Sequence, residues 1–193
     1  MIQEPSKGFR LAACIALVMA PWVSATGGGF DKTLSLQGVT FHVICSNEGS
    51  VNCVQIHVKG LAADVVPTKD EVDGTVTGTE VADLNADGSP EIYIFTQSAG
   101  SGSYGNVIAY AANQKKSLTR VPLPDLTQNK KASKGYMGHD AFAIVENRLV
   151  RRFKLYEVAD TNSKPTGKTR QIAYRLEAAE AGWSLRETPF VDL

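Results

Sequence analysis

The sequence is short of the residues on which metal sites and nucleophilic active sites depend. It has three cysteines and three histidines in 193 residues. No two histidines have the spacing of a metal-binding pair, and no GxSxG elbow is present. Basic and acidic side chains balance at 20 each, so the chain lacks the charge excess that binds nucleic acid or anionic lipid. We therefore expect no nucleic acid and no membrane surface as partner.

Long apolar runs are also missing, except near the start of the chain. Lys7 and Arg10 precede an apolar run at residues 11–20, which is too short to span a bilayer as a helix. The small residues of a cleavage site follow at 23–25. We predict a cleavable signal peptide over residues 1–25 and hence an exported protein.

A lipid anchor at Cys14 is the alternative form of processing. In a lipoprotein signal the apolar run precedes the cysteine, whereas here it follows Cys14, so we favour simple cleavage. The remaining residues, 26–193, are predicted to form one domain, because they contain no internal repeat and no long linker. They carry 18 basic and 19 acidic side chains, a net charge of −1.

Two cysteines remain in the exported part, Cys45 and Cys53. An even count in an exported chain favours a disulfide. The pair flanks the turn-rich residues 46–52, between two strand-like runs, so the bridge is predicted to hold the mouth of a hairpin. Two unpaired thiols in the core are the alternative.

The hydrophobic periodicity is that of β-strands. No segment shows a long, capped helical pattern, and turn signals such as Glu146-Asn147 separate the apolar runs. The sequence predicts an all-β fold, an eight-stranded antiparallel sandwich or flattened barrel. The predicted strands are residues 41–44, 54–58, 92–95, 107–112, 141–145, 149–156, 169–176 and 183–188.

A glycine- and serine-rich segment, residues 98–105, follows the most apolar predicted strand. Three serines and three glycines precede or flank its only large side chain, Tyr104. Such a loop brings its backbone close to another surface, and its tyrosine suits a recognition loop. A flexible hairpin with Tyr104 folded back on the core is the alternative. The segment also spells GxGxxG, but no helix follows, so we exclude a dinucleotide site.

A second cluster has oxygen-bearing side chains at regular spacing. Asp83, Asn85 and Asp87 occupy positions 1, 3 and 5 of a loop with glycine at position 6 and Glu91 at position 9. That order suits a calcium loop, although it lacks the glutamate that an EF-hand has at position 12. A turn without any ion is the alternative. Apart from calcium, we expect no cofactor.

The third cluster is Tyr-Met-Gly-His-Asp at residues 136–140. His139 stands beside Asp140, yet the sequence offers no serine elbow and no free cysteine nucleophile if the disulfide forms. We therefore predict no catalytic residue. The segment is interpreted as contact surface or as a hydrogen-bonded loop.

Taken in order, these segments resemble the periplasmic inhibitors of invertebrate-type lysozyme, the PliI family. The Ser-Gly-Ser-Tyr segment is similar to the SGxY loop of that family, and the Asp83–Glu91 turn fits as well. The resemblance covers most of the exported chain. It is carried by residues 101–104, 136–140, 149–153, 166–171 and 181–183.

The resemblance implies an eight-stranded antiparallel β-structure, a location in the periplasm and an invertebrate-type lysozyme as partner. The first loop would enter the active-site cleft of the lysozyme, and peptidoglycan would thereby be protected from a host enzyme. The contact residues that it implies are Ser101, Gly102, Tyr104 and, at the variable place, Ser103, with Tyr136, His139 and Asp140 in a second loop.

Two other function classes remain open on the residues alone. One is a calcium-stabilised extracytoplasmic module that binds carbohydrate or protein through the same loops. The other is an enzyme that depends on His139. The sequence leaves both a monomer and a homodimer open.

Overall fold

The computed structural model describes residues 28–180 and 182–193. The predicted signal peptide and Cys14 lie outside these residues. Within them the chain forms thirteen β-strands and one short 3-10 helix, Leu126–Gln128, and no α-helix. No helix in this part is long and apolar enough to cross a membrane. The all-β prediction is confirmed.

The strands form three antiparallel sheets. The first sheet contains, in spatial order, β1 (Phe30–Leu36), β2 (Val39–Cys45), β3 (Val51–Lys59) and β4 (Thr68–Asp73). The middle sheet contains β5 (Thr75–Ala82), β6 (Glu91–Gln97), β7 (Gly105–Asn113) and β8 (Ser117–Val121). The third contains, again in spatial order, β12 (Gly182–Glu187), β11 (Thr169–Ala179), β10 (Arg148–Lys154) and β9 (Ala141–Val145), and β13 (Val191–Asp192) pairs with β11.

The predicted number of eight strands is wrong, and so is the flattened barrel. All eight predicted runs overlap observed strands, but β1, β4, β5, β8 and β13 were missed. None of the three sheets closes on itself in the described residues. The missed strands are edge strands or short, polar ones, in which the alternation of apolar and polar residues is weak.

The middle sheet is covered on both faces. Tyr93 and Phe95 of β6 join one hydrophobic cluster with residues of the third sheet, whereas Ile92 and Ile94 join a second cluster with residues of the first sheet. Side chains alternate between the two faces of a strand. The continuous apolar run in β6 therefore follows from burial on both sides.

The predicted disulfide between Cys45 and Cys53 is wrong, since both thiols are free. The β2–β3 register places Cys45 opposite Val54, and both face the core. Cys53 precedes Val54 in the strand and therefore faces the other side, where it is exposed. Asn52 holds the hairpin instead, because its amide donates to the carbonyl oxygens of Gly49 and Gly74 at 2.8 and 2.6 Å.

Strand β6 links two of the loops that the sequence analysis singled out. The loop of residues 83–90 leads into its first residue, and the loop of residues 98–104 leaves from its last. A seven-residue strand is about 20 Å long. The two loops therefore lie at opposite ends of the middle sheet.

Candidate functional site

The first loop, residues 98–104, is tied together at its base. The backbone N–H of Ser98 donates to the carbonyl oxygen of Tyr104 at 2.9 Å. The N–H of Tyr104 donates in return to the hydroxyl of Ser98 at 2.9 Å. At the tip, the N–H of Ser103 donates to the oxygen of Gly100, and Ser103 has a φ of 42°. Ser101 lies exposed at this tip.

Tyr104 rests on the second loop, residues 136–140, and does not enter the core. Its side chain is 49% exposed, and its ring meets Tyr136 edge-on with centroids 5.7 Å apart. The ring covers Gly102 and lies close to Gly138. One face of the tyrosine is therefore held by protein, and the rest remains available to a partner.

Gly138 is required where the two loops cross. Its φ is +92°, and a Cβ there would collide with the carbonyl oxygen of Gly102. The next residue, His139, donates its N–H to that same oxygen at 2.8 Å. The side chains of His139 and Met137 are exposed beside the first loop. The loops thus form one continuous surface.

A buried ion pair lies beneath this surface. Arg151 of β10 donates from Nε to the Asp140 carboxylate at 2.6 Å, and both side chains are almost fully buried. The other Asp140 oxygen accepts from the hydroxyl of Tyr136 at 2.6 Å and from the N–H of Gly105 at 2.9 Å. Gly105 is the first residue after the first loop. One carboxylate therefore fixes both loops.

The protonation state of the Tyr136 hydroxyl agrees with the hydrogen bonds that it makes in this network. Burial, and then the Asp140 carboxylate to which the group donates, raises the pKa of the Tyr136 hydroxyl. The phenol therefore keeps its proton at neutral pH and acts as donor to Asp140. It also accepts from Arg151 Nη2 at 2.7 Å. Each buried polar group named here has a partner, as stable buried networks require.

A third loop, residues 157–168, meets the first one, and the sequence reasoning did not predict this contact. The side-chain amide of Asn162 donates to the carbonyl oxygen of Ser101 at 2.7 Å. Tyr156 donates to the oxygen of Asn162, and its ring stacks against His139. Asp160 accepts from the N–H groups of Glu157 and Thr166, which shapes the loop. Its asparagine, aspartate and proline residues signalled only a loop; no local pattern indicated which loop it would meet.

The acidic loop at the other end of β6 brings its predicted ligands together. Oxygen atoms of Asp83, Asp87 and Glu91 lie within 4.8 Å of one another. The Asn85 side chain stays at the edge, where it donates to Asp87 at 3.0 Å. Burial raises the pKa of the Glu91 carboxyl to about 8, and the neighbouring Asp83 and Asp87 add to that effect.

Both predicted contact loops thus meet at one end of the molecule, far from the acidic loop. Part of this architecture matches a known family. Residues 62–131 match the model of the PliI family. That family is described as the periplasmic lysozyme inhibitor of I-type lysozyme. The resemblance predicted from the sequence is confirmed for this segment.

The PliI match spans the acidic loop and the whole first loop, and it ends before the second. PliI is a family of inhibitors, and it is periplasmic. No curated protein matches the chain.

Proposed function

We propose that the protein is a periplasmic inhibitor of invertebrate-type lysozyme and has no catalytic activity of its own. The observation that carries the proposal is the joined surface of the first and second loops, lying in and beside a segment that matches PliI. We call it the contact surface and define it as Ser101, Gly102, Tyr104, Met137 and His139. It presents exposed hydroxyl, aromatic, thioether and imidazole groups on a rigid base.

The chemistry of this surface suits the cleft of a lysozyme. Lysozymes cleave between sugars with carboxyl groups placed in an open cleft. In the proposed complex the Ser101 hydroxyl donates to such a carboxyl group, and the Tyr104 ring occupies a sugar subsite. A tyrosine supplies a large contact area at small entropic cost.

Preorganisation supports tight binding. The Asp140–Arg151 pair and the Gly138–Gly102 crossing hold the loops before any partner arrives, so less entropy is lost on association. Asp140 itself has a fully buried carboxylate. We therefore assign it a positioning role under the contact surface, and we assign Ser103, at the variable place, to the shape of the tip.

Stable inhibitor complexes bury about 1,600 Å² in total, which is more than one loop provides. The third loop extends the contact surface, because Asn162 joins it to Ser101. Val158 in this loop is fully exposed. We propose that it lies at the rim of the complex.

The first experiment titrates the purified protein against invertebrate-type, chicken-type and goose-type lysozymes and measures residual lytic activity. We expect stoichiometric loss of activity with the invertebrate type alone. Activity retained by all three enzymes would refute the proposal and favour a binding module for carbohydrate or protein.

Single substitutions then locate the surface. Tyr104→Ala is expected to raise the inhibition constant about 30-fold, because buried aromatic anchors contribute about 2 kcal/mol. Ser101→Ala removes one hydrogen bond and should raise it about tenfold or less. Val66→Ala is the control, since Val66 is 83% exposed in the β3–β4 connection. Equal inhibition by all three variants would show that another surface binds.

A further inference from the structure

The acidic loop between β5 and β6 has a feature that its sequence alone does not reveal. Glu91 is only 1% exposed, yet it lies with two other carboxylates, Asp83 and Asp87. None of the salt bridges in the described part of the chain includes any of the three. Three mutually close acidic groups thus lack a neutralising positive charge.

The one hydrogen bond to the Glu91 carboxylate comes from the N–H of Leu84, at 2.9 Å. Within the acidic loop, Asp83 accepts two backbone N–H groups, those of Asp87 and Gly88, at 3.0 and 2.9 Å. A buried carboxylate normally has a cationic partner or several donors. Glu91 has neither among the described residues.

A second observation is independent of the acidic cluster. Tyr93, on the same face of β6 as Glu91, is fully buried, and its hydroxyl finds no hydrogen-bond partner of regular geometry in the described residues. Tyr93 packs in the same buried cluster as Leu84, the loop residue whose N–H donates to Glu91. Side chains two residues apart point to the same face of a strand, so this unpaired phenol and the Glu91 carboxylate lie on one side of β6.

We propose that Asp83, Asn85, Asp87 and Glu91 bind one calcium ion. Carboxylate and amide oxygens are the ligands that calcium prefers, and calcium accepts a variable coordination geometry. The ion would neutralise the buried Glu91 and join the exposed part of the loop to the first residue of the central strand. The role is structural, because the loop lies at the end of β6 opposite the contact surface.

This inference does not depend on the lysozyme partner, and its test uses binding and stability alone. The purified protein is freed of metal with a chelator and titrated with calcium chloride by calorimetry. We expect one site with a dissociation constant in the range of extracellular calcium modules, about 10⁻⁴ to 10⁻³ M. The melting temperature should rise with free calcium. The absence of both binding heat and a shift in melting temperature would overturn the proposal.

Variants separate ligation from general stability. Asp87→Asn changes an exposed side chain and should weaken calcium binding about tenfold or more. Asp64→Asn, in the exposed β3–β4 connection, is the matched control and should bind like the parent. Unchanged binding in Asp87→Asn, or an equal loss in Asp64→Asn, would contradict the assignment. Magnesium that binds as tightly as calcium would also overturn it.

Terbium provides a spectroscopic readout of position. Terbium takes the place of calcium at oxygen sites, and a nearby tyrosine sensitises its emission. We expect excitation of the parent protein to produce this emission, calcium to displace it, and Tyr93→Phe to dim it while calorimetric binding of calcium persists. Emission that Tyr93→Phe leaves unchanged would place the metal elsewhere and reject the site.

Discussion

At the end of β6 that leads into the contact surface, the buried Asp140 carboxylate has an arginine, a phenol and a backbone N–H as partners. At the other end, the buried Glu91 carboxylate has one backbone N–H and two acidic neighbours. The first site is neutralised by the chain itself. The second has no cationic side chain among its partners, and the proposed calcium ion would supply the missing positive charge. The effect of a buried carboxylate therefore depends on the groups that surround it.

The largest expected effect comes from removing the internal cation. Arg151→Met leaves the Asp140 carboxylate buried without its partner, which should lower the free energy of unfolding by about 3–5 kcal/mol. Urea unfolding measures it. Inhibition should fall as well, because Asp140 fixes both loops.

The adjacent arginine is the matched control. Arg152 is exposed and donates to Gln171 on the surface, so Arg152→Met should change stability by about 0.5 kcal/mol or less. Similar losses in both variants would mean that the buried pair has no special part in stability.

The crossing of the two loops should be the next most sensitive point. Gly138→Ala places a Cβ against the Gly102 carbonyl at a φ of +92° and should cost about 1–3 kcal/mol. Gly100→Ala, where a Cβ meets nothing within 4 Å, should be tolerated. Thermal melting compares the two variants. If they melt alike, the close approach of the loops in solution is looser than described.

A smaller effect is expected at the third loop. Asn162→Ala removes the hydrogen bond to Ser101 and should raise the inhibition constant about two- to tenfold, because one hydrogen bond contributes about 0.5–1.5 kcal/mol. Ser163→Ala, its exposed neighbour, is the control. An unchanged constant in Asn162→Ala would limit the contact surface to the first two loops.

The smallest effect concerns Glu91 in the absence of metal. Glu91→Gln keeps an oxygen that accepts from Leu84 and removes the repulsion by Asp83 and Asp87. In chelator we expect its free energy of unfolding to lie within about 1 kcal/mol of the parent value. In calcium the parent should gain stability while the variant does not. An equal loss in both solutions would assign Glu91 to packing alone.

The outcome for the strands shows where sequence reasoning works. β6 and β7 lie inside the middle sheet, so their apolar residues are many and their pattern is clear. β1 and β4 are the edges of the first sheet, and their exposed residues are polar. Edge strands bury one face and pair on one side, so their composition approaches that of loops. Their existence follows from neighbours that no local pattern reveals.

The sequence by itself determined the all-β class, the two loops rich in serine, glycine or acidic residues, and the resemblance to PliI. These depend on the residue types along short segments, which are local. Only the tertiary structure decided that Cys45 and Cys53 face opposite sides, that Arg151 lies under the contact surface and that Asn162 reaches Ser101. Strand register and burial set these relations, and both arise from pairing between residues far apart in the chain.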